Sequence, residues 1–337
     1  MPTKIKSDLI LAGDIGGTKT NLALFDLKAV QKGHFKILKN KRYPSGEFPS
    51  LLAILNEFLD GKTDEILAAG FGIAGPVEDG KVNPSNITWA VDSREIAEKL
   101  DLQSVALLND LAANAYGIST LGAKDFETVQ KGNPAAKGNC CIVSPGTGLG
   151  EAGLFWNGKA HDVWASEGGH SNFAPRNDLE IDLLQHLMKQ FGHVSYERVA
   201  SGIGIENIYR FLHDTGRGKE LPEVAAAMQK ESAGVVISRF DQAGTCPMCS
   251  QTLDIFTSCL GAECGNMALK SFATGGVYLG GGIPAKLIKR MKSAAFLHAF
   301  NEKGRMRSIM QEMPIKIILN DNAALFGAAK QAAISLG

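Results

Sequence analysis

The sequence has no excess of charge of either sign, since Lys and Arg together number 35 and Asp and Glu together also number 35. Without a one-signed field the surface has no long-range attraction for nucleic acid or an anionic membrane, and we expect neither as a partner. No apolar run approaches the roughly 20 residues of a membrane-spanning helix, and residues 1–6 are not followed by the apolar core of a secretory signal. These absences predict a cytoplasmic globular protein that binds any anion locally.

Cysteine is also scarce, and its spacing does not favour a metal site. The six cysteines are Cys140, Cys141, Cys246, Cys249, Cys259 and Cys264. Cys246 and Cys249 have the spacing of a zinc pair, but Cys259 and Cys264 lack it, and the helical pattern of 253–269 would spread them apart. We therefore expect small buried thiols in a reducing compartment rather than zinc ligands.

The chain opens with a strand, a glycine turn and a second strand. Residues 9–15 are mostly apolar, Gly16 and Gly17 break the run, and an alternating pattern resumes as far as Asp26. Adjacent glycines permit positive φ and let another group approach the backbone closely. This pattern predicts a β-hairpin whose turn is open to a ligand.

Polar groups around this turn suit phosphate. Thr18, Lys19 and Thr20 supply two hydroxyls and an ammonium, and Asp14 ends the first strand, where a carboxylate beside phosphates would hold magnesium through its water shell. The pattern is not a Walker loop, because Lys19 begins a strand rather than a helix. A plain structural hairpin is the alternative interpretation.

Beyond the hairpin, buried strands alternate with amphipathic helices, which is typical of an α/β fold. The predicted strands are 36–43, 66–74, 105–108, 277–279 and 315–319, and the main predicted helices are 48–60, 93–100, 111–118, 179–191, 203–212, 253–270 and 323–335. A second strand, glycine turn and strand at 140–156, with Gly146, Thr147 and Gly148 in the turn, repeats the opening pattern weakly. Two such hairpins predict duplicated α/β domains with a cleft between their glycine turns.

We place a small domain at residues 1–115 plus 319–337 and a large domain at 116–318, with the alanine-rich C-terminal helix returning to the first domain. Helix 111–118 would cross to the second domain. No low-complexity linker separates the two parts.

Five stretches in one order carry a resemblance to a known family. They are Asp14 to Lys19, Asn109-Asp110, Gly146 to Gly148, Glu167-Gly168-Gly169-His170 and Gly280-Gly281-Gly282. With them, essentially end to end, the chain resembles the bacterial glucokinases of the hexokinase, actin and heat-shock ATPase superfamily. Ser195-Tyr196-Glu197 and Ser201-Gly202 look like the branch that lacks a cysteine-rich zinc motif. The fold this implies is a two-domain, actin-like (ribonuclease H-like) ATPase fold with an interdomain cleft.

The resemblance implies Mg-ATP-dependent phosphorylation of D-glucose at the 6-hydroxyl, which gives glucose 6-phosphate and ADP. Asp110 would be the general base that accepts the hydroxyl proton as the oxygen attacks the γ-phosphorus. Asn109 and Asp110 would contact the reacting side of the sugar, while Glu167, His170 and Glu197 would bind its other hydroxyls.

The resemblance also places the nucleotide and its metal. Gly16, Gly17 and Thr18 would line the β-phosphate, Lys19 would neutralise charge, and Gly146, Thr147 and Gly148 would lie on the opposite side. Gly280, Gly281 and Gly282 would contact the adenosine, and magnesium would bridge the phosphates near Asp14 through water. The family further suggests a homodimer.

Plainer interpretations stand beside these roles. Asp110 would suit a helix N-cap, His170 a surface loop and Glu197 a solvated charge. The competing functions are a sugar-responsive nucleotide-binding regulator, a kinase for another hexose, and an actin-like filament or chaperone ATPase. No basic helix-turn-helix precedes residue 9, which disfavours DNA binding. The residues leave three phosphoryl donors open, namely ATP, ADP and polyphosphate.

Overall fold

A computed structural model describes residues 8–61, 63, 65–84 and 87–337, so residues 1–6, considered above for a secretory signal, lie outside the described residues. The chain divides into two compact units, Met1–Asp125 with Asn320–Gly337 and Phe126–Leu319. Within the described ranges, no helix has the length and apolarity needed to cross a membrane.

The described ranges contain fourteen strands and fifteen α-helices. The strands are β1 (Leu9–Ile15), β2 (Lys19–Asp26), β3 (Lys39–Pro44), β4 (Ile66–Ile73), β5 (Val77–Glu78), β6 (Lys81–Val82), β7 (Val91–Asp92), β8 (Ser104–Asn109), β9 (Phe126–Gln130), β10 (Cys140–Pro145), β11 (Leu149–Trp156), β12 (His161–Ser166), β13 (Gly276–Leu279) and β14 (Ile315–Ile318). The helices are α1 (Leu27–Gln31), α2 (Leu51–Leu59), α3 (Ser93–Leu100), α4 (Asp110–Ile118), α5 (Asp178–Met188), α6 (Glu197–Ala200), α7 (Gly202–Asp214), α8 (Pro222–Met228), α9 (Ala233–Gln242), α10 (Pro247–Ser271), α11 (Gly282–Lys286), α12 (Ile288–Met291), α13 (Ala294–Asn301), α14 (Arg307–Glu312) and α15 (Ala323–Ile334).

The first unit is built on a five-stranded sheet in the order β3-β2-β1-β4-β8. β1 pairs antiparallel with β2, which confirms the predicted hairpin, and parallel with β4, which in turn runs parallel to β8. Alternate residues of β1 enter two cores, with Leu11 packing in the core that contains α2 and Ile10 in the core that contains α15. Because β1, β4 and β8 are parallel, their carboxyl ends meet at one edge of the sheet.

Small residues let α15 pack very closely on this unit. A Cβ built at Gly70 would lie 2.1 Å from the carbonyl oxygen of Ala328, and one at Gly327 would lie 1.9 Å from that of Ala113. Helix α15 therefore packs with elements of the first unit, α4, β1 and β4. The sequence placed a boundary after residue 115, whereas α4 stays whole in this unit, to Ile118, because it packs along α15.

The second unit repeats the sheet of the first. Its order is β12-β11-β10-β13-β14-β9, in which β10 pairs antiparallel with β11 and parallel with β13, and β13 runs parallel to β14. The duplication predicted from the two glycine turns is therefore confirmed. β9 and β12 were not predicted, because edge strands that are partly exposed carry few apolar residues for a periodic pattern to reveal.

Helix α10 forms the centre of the second core. It spans 25 residues that are buried on nearly every side, as expected of a helix enclosed by other elements. Four cysteines lie on it or at its N-cap, and Cys140 and Cys141 lie on β10. All six are buried free thiols, as predicted, and burial raises the pKa of Cys140 to about 12.

We expect Gly327→Ala to destabilise the first unit, because the added methyl group would meet the Ala113 carbonyl oxygen at 1.9 Å and force α15 away from α4. Overpacking of this kind typically costs about 1–3 kcal/mol. Urea unfolding measures the loss, with Gly46→Ala as the matched control because a Cβ there has no neighbour within 4 Å. Equal midpoints for the two variants would contradict the close packing.

Candidate functional site

Two carboxylates lie at the carboxyl edge of the first sheet. Asp14 is near the end of β1, in register with Gly72 of β4, and Asp110 is the first residue of α4, directly after β8. A Cβ built at Gly72 would lie 2.7 Å from the Cβ of Ala113 and 3.7 Å from the Cα of Asp110. Because Gly72 has no side chain, the start of α4 can lie directly against β4, which is the strand between β1 and β8.

The electrostatics show that these two carboxylates interact. Burial raises the pKa of Asp14 to about 6, the charge of Asp110 raises it as well, and Arg42 opposes the rise. Burial also raises the pKa of Asp110, while the backbone N–H of Leu111, which donates to Oδ1 at 2.8 Å, lowers it. A carboxylate with a raised pKa is a stronger base, and a pair of them favours a bound cation.

Asn109, and not Asp110, is the N-cap of α4. Its Oδ1 accepts hydrogen bonds from the backbone N–H groups of Leu111 at 2.9 Å and Ala112 at 3.3 Å, and its Nδ2 donates to the carbonyl oxygen of Gly75 at 3.2 Å. The plain interpretation of Asp110 as the capping residue was wrong, because the cap lies one position earlier. Asn109 therefore fixes the start of the helix on which Asp110 stands.

Ser45 holds the glycine turn of the first hairpin. Its hydroxyl donates to the carbonyl oxygen of Gly16 at 2.8 Å and lies 3.0 Å from the hydroxyl of Thr20, while its backbone N–H donates to the carbonyl oxygen of Thr18 at 3.1 Å. Sequence reasoning missed Ser45, since it follows β3 and only strand pairing brings it to the turn. Thr20 is buried in this contact, so its hydroxyl supports the turn from inside.

The turn does not use the left-handed backbone expected for it. Neither Gly16 nor Gly17 has a positive φ. Among the described residues, a Cβ built at Gly16 would meet only the carbonyl oxygen of Lys19, at 3.4 Å, which is an ordinary contact distance. Both glycines are half-buried, whereas Thr18 and Lys19 beside them are exposed.

A cation that the sequence did not single out faces this edge. Asp14 pairs with Asn21 of β2, and Asn21 pairs with Arg42 of β3, so the three residues form one row across the sheet. Arg42 is exposed, and its charge lowers the pKa of Asp14. Only the strand register reveals this row, because the three residues are far apart in the sequence.

The corresponding turn of the second unit is held by a loop from α6 and α7. Gly146 accepts a hydrogen bond from the backbone N–H of Gly202 at 2.8 Å, and the N–H of Leu149 donates to Oε2 of Glu197 at 3.1 Å. A Cβ at Gly148 would lie 2.4 Å from that same Oε2. Glu197, expected to bind sugar, is thus also a structural partner of the glycine turn.

The triplet Gly280 to Gly282 lies beside this turn. Gly281 has φ 75°, and a Cβ there would lie 2.6 Å from the carbonyl oxygen of Pro145. A Cβ at Gly280 would lie 3.0 Å from the hydroxyl of Ser144, whereas one at Gly282 would have open space around it. The second unit therefore brings this triplet to the end of β10, where the turn Gly146 to Gly148 begins.

A pocket of roughly 760 Å³ opens beside these glycine loops. Thr147 and Gly202 lie at one side, residues of α9 form a wall, and Ile283, Lys286 and Leu287 contribute apolar surface and a cation. Its size is within the range of small-molecule sites. The walls combine apolar contact for a flat ring with backbone groups for polar atoms.

The residues expected to bind sugar lie in two segments of the second unit. Glu167 and His170 are exposed on a short 3-10 turn, and a ring nitrogen of His193 lies 2.8 Å from the carbonyl oxygen of His170. His170 and Glu197 line one pocket of roughly 440 Å³, together with Ser195. Glu167 is on the same turn, outside the lining of that pocket.

Comparison with known proteins gives one consistent family. A family model described as Glucokinase matches residues 11–334. The chain is 39% identical over 340 residues to a glucokinase of Trichormus variabilis, with 96% of this chain and 99% of the relative covered, and 37% identical over 347 residues to one of Synechocystis.

Solved structures agree. A glucokinase from an Antarctic psychrotroph has a TM-score of 0.81 and 31% identity, with 96% of this chain and 98% of that chain covered. A ROK family glucokinase from Streptomyces griseus, solved in complex with glucose and AMPPNP, has a TM-score of 0.64 at 22% identity, with 98% and 100% covered, and shows likeness of fold alone. The α/β, actin-like fold expected from the sequence is confirmed.

We expect Arg42→Gln to raise the pKa of Asp14 further above its present value of about 6, because it removes the positive charge that opposes the rise. Carboxyl ¹³C shifts followed through a pH titration measure this pKa. Arg94→Gln, an exposed change on α3, is the matched control. If the pKa of Asp14 is the same in both variants, the charge of Arg42 does not act on Asp14.

Proposed function

The chain belongs to the glucokinase family, and we propose that it transfers the γ-phosphoryl group of ATP to the 6-hydroxyl of glucose with Asp110 as the general base. The relatives that align with nearly the whole chain are named glucokinases, which are enzymes that phosphorylate glucose.

The observation that carries the proposal is the placement of Asp110. Its carboxylate is partly buried at the start of a capped helix, and burial raises its pKa. A carboxylate there can orient the sugar hydroxyl and accept its proton late, when the bond to phosphorus is already forming. In such a reaction, positioning and charge neutralisation supply most of the rate.

The residues around Asp14 fit a magnesium ion. Burial and the charge of Asp110 raise the free-energy cost of ionising Asp14, and a nearby cation would lower it. Magnesium prefers oxygen ligands, retains much of its water and is often held by one or two carboxylates. Asp14 would hold the ion through water, and the ion would neutralise charge on the transferred phosphoryl group. The backbone of Gly17, with Thr18 and Lys19, would bind phosphate oxygens, while Gly16 donates its N–H to the carbonyl oxygen of Lys19 and so shapes the turn.

The pocket of the second unit suits the nucleoside. We place the base against Ile283 and Leu287 and the phosphates near Gly146 and Thr147, all of which line this pocket. Gly148 and Gly280 to Gly282, outside its lining, would contact the ribose and phosphates from beside it. The φ of 75° at Gly281 lets the chain turn sharply there, which exposes backbone N–H groups to the ligand. ATP is the donor we propose for this pocket.

Sugar recognition would use both carboxylates and amides. Oε2 of Glu197 accepts a hydrogen bond from the backbone N–H of Leu149, which leaves Oε1 to accept one from a sugar hydroxyl. Glu167 and His170 are exposed and would bind further hydroxyls, while Asn109 has a second amide N–H beyond the one bonded to Gly75. A site that hydrogen-bonds each hydroxyl rejects epimers that leave its groups unpaired. A homodimer in the cytoplasm stays a prediction.

We expect Asp110→Asn to lower kcat by about 10²–10⁴, the usual contribution of general acid–base catalysis, while glucose affinity changes little. An amide keeps the shape of the side chain but cannot accept the proton. A coupled assay for glucose 6-phosphate and calorimetry with glucose measure the two quantities. Asp101→Asn, at the exposed end of α3, is the control. Turnover near that of the wild type would refute the assignment of Asp110.

We expect Ile283→Ala to raise the KM for ATP by roughly tenfold, since it removes about 1.5 kcal/mol of apolar contact if the base packs there. The affinity for glucose should stay the same. Initial rates over a series of ATP concentrations test this, with Ile334→Ala, at an exposed position of α15, as the control. An unchanged KM would place the nucleotide elsewhere.

A further inference from the structure

A pair of buried carboxyl groups lies beneath the loop that carries Glu167 and His170. Glu151 of β11 is 1% exposed and Glu263 of α10 is fully buried, and the two carboxyl groups lie close enough for the charge of Glu263 to raise the pKa of Glu151. The Oε1 atom of each has no hydrogen-bond partner among the described residues. Two carboxylates in contact in a buried site cannot both ionise at low cost, so the pair retains a proton.

The upper end of this pair touches the loop backbone directly. Glu151 is in register with Ser166, the last residue of β12. A Cβ built at Gly168 would lie 2.1 Å from Oε2 of Glu151, so a larger residue there would require this carboxyl to move. Glu167 and His170 are therefore positioned by backbone that lies on the Glu151 side chain.

The lower end of the pair leads to the second sugar-binding segment. Glu263 accepts a hydrogen bond from Nδ2 of Asn266 at 2.8 Å, and that same Nδ2 lies 3.0 Å from the hydroxyl of Tyr196. Tyr196 precedes Glu197, and its backbone N–H donates to the carbonyl oxygen of Ser171. One buried network thus connects the two segments that we expect to bind glucose.

The charged and titratable groups around the pair come from several elements. Lys270 of α10 and Lys303, after α13, oppose protonation, while the thiols of Cys141 and Cys264 and the hydroxyl of Tyr196 face the same network. Burial, together with the charge of Glu263, outweighs Lys270 and raises the pKa of Glu151 to about 8. Burial also raises the pKa of Glu263 and lowers that of Lys303.

We propose that Glu151 is a positioning residue for the sugar: its protonated carboxyl, buried beside that of Glu263, supports the loop Glu167–His170, and release of that proton to solvent weakens glucose binding. The reason is that a second charge in this buried site draws in water or moves the Glu151 carboxyl. Gly168 is in close contact with that carboxyl, so such a movement would displace the loop. The inference rests on the proposed sugar-binding role of this loop.

The test is the dissociation constant of glucose, measured by calorimetry on the full chain between pH 6.5 and 9.5. For the wild type we expect it to be flat at low pH and to rise about tenfold per pH unit once the pair loses its proton. Glu151→Gln stays neutral, so its dissociation constant should remain flat, with kcat at saturating glucose unchanged. Glu302→Gln, at an exposed position, should behave as the wild type.

A flat profile for the wild type, or the same rise in Glu151→Gln, would overturn the inference. If Glu151→Gln does not fold, Glu263→Gln provides the second test: without the neighbouring charge Glu151 ionises more easily, so the rise should begin at lower pH. A rise that stays at the wild-type pH would equally overturn it. Absence of glucose binding at every pH would instead refute the proposed function.

Discussion

Close approach of carboxylates and backbone to glycine is the constraint on which the functional parts of both units depend. Gly72 leaves room for the start of the helix that carries Asp110, Gly148 leaves room for Glu197, and Gly168 rests on Glu151. At each of these positions a Cβ would fall within 2.1–2.7 Å of another atom. The positions of Asp110, Glu197 and Glu151 therefore depend on the absence of a Cβ at these three glycines. A methyl group added at any of them would displace the neighbouring side chain or helix.

Burial then decides the protonation of these carboxyls. Burial at the sheet edge raises the pKa of both Asp14 and Asp110, and the charge of Asp110 raises that of Asp14 further. We assign Asp14 to a bound cation and Asp110 to the proton of the sugar hydroxyl. Glu151 has a raised pKa for a different reason, since it is enclosed in the core with a second carboxyl. Folding favours its protonated form, so this contribution to stability is lost as the pH rises through about 8.

The glycine turns of the two units are held in place by different partners. Each uses a hairpin with a glycine turn at the edge of a sheet, but the first is held by the hydroxyl of Ser45 and the second by Glu197 and Gly202. The first turn is held from within its own sheet, whereas the second is held by a segment that also carries an expected sugar ligand. A substitution of Glu197 would therefore alter the glycine turn as well as the binding of the sugar.

Local pattern in the sequence determined the hairpins, the long helices, the duplicated α/β plan and the family, because strand alternation, glycine turns and ordered motifs are properties of neighbouring residues. The N-cap at Asn109 in place of Asp110, the ordinary φ of Gly16 and Gly17, and the edge strands β9 and β12 were decided only by the fold. The same holds for Ser45, for the row from Asp14 to Arg42, and for the pairing of Glu151 with Glu263. Each of these depends on strand register or on burial between distant segments, and both arise only when the whole chain packs.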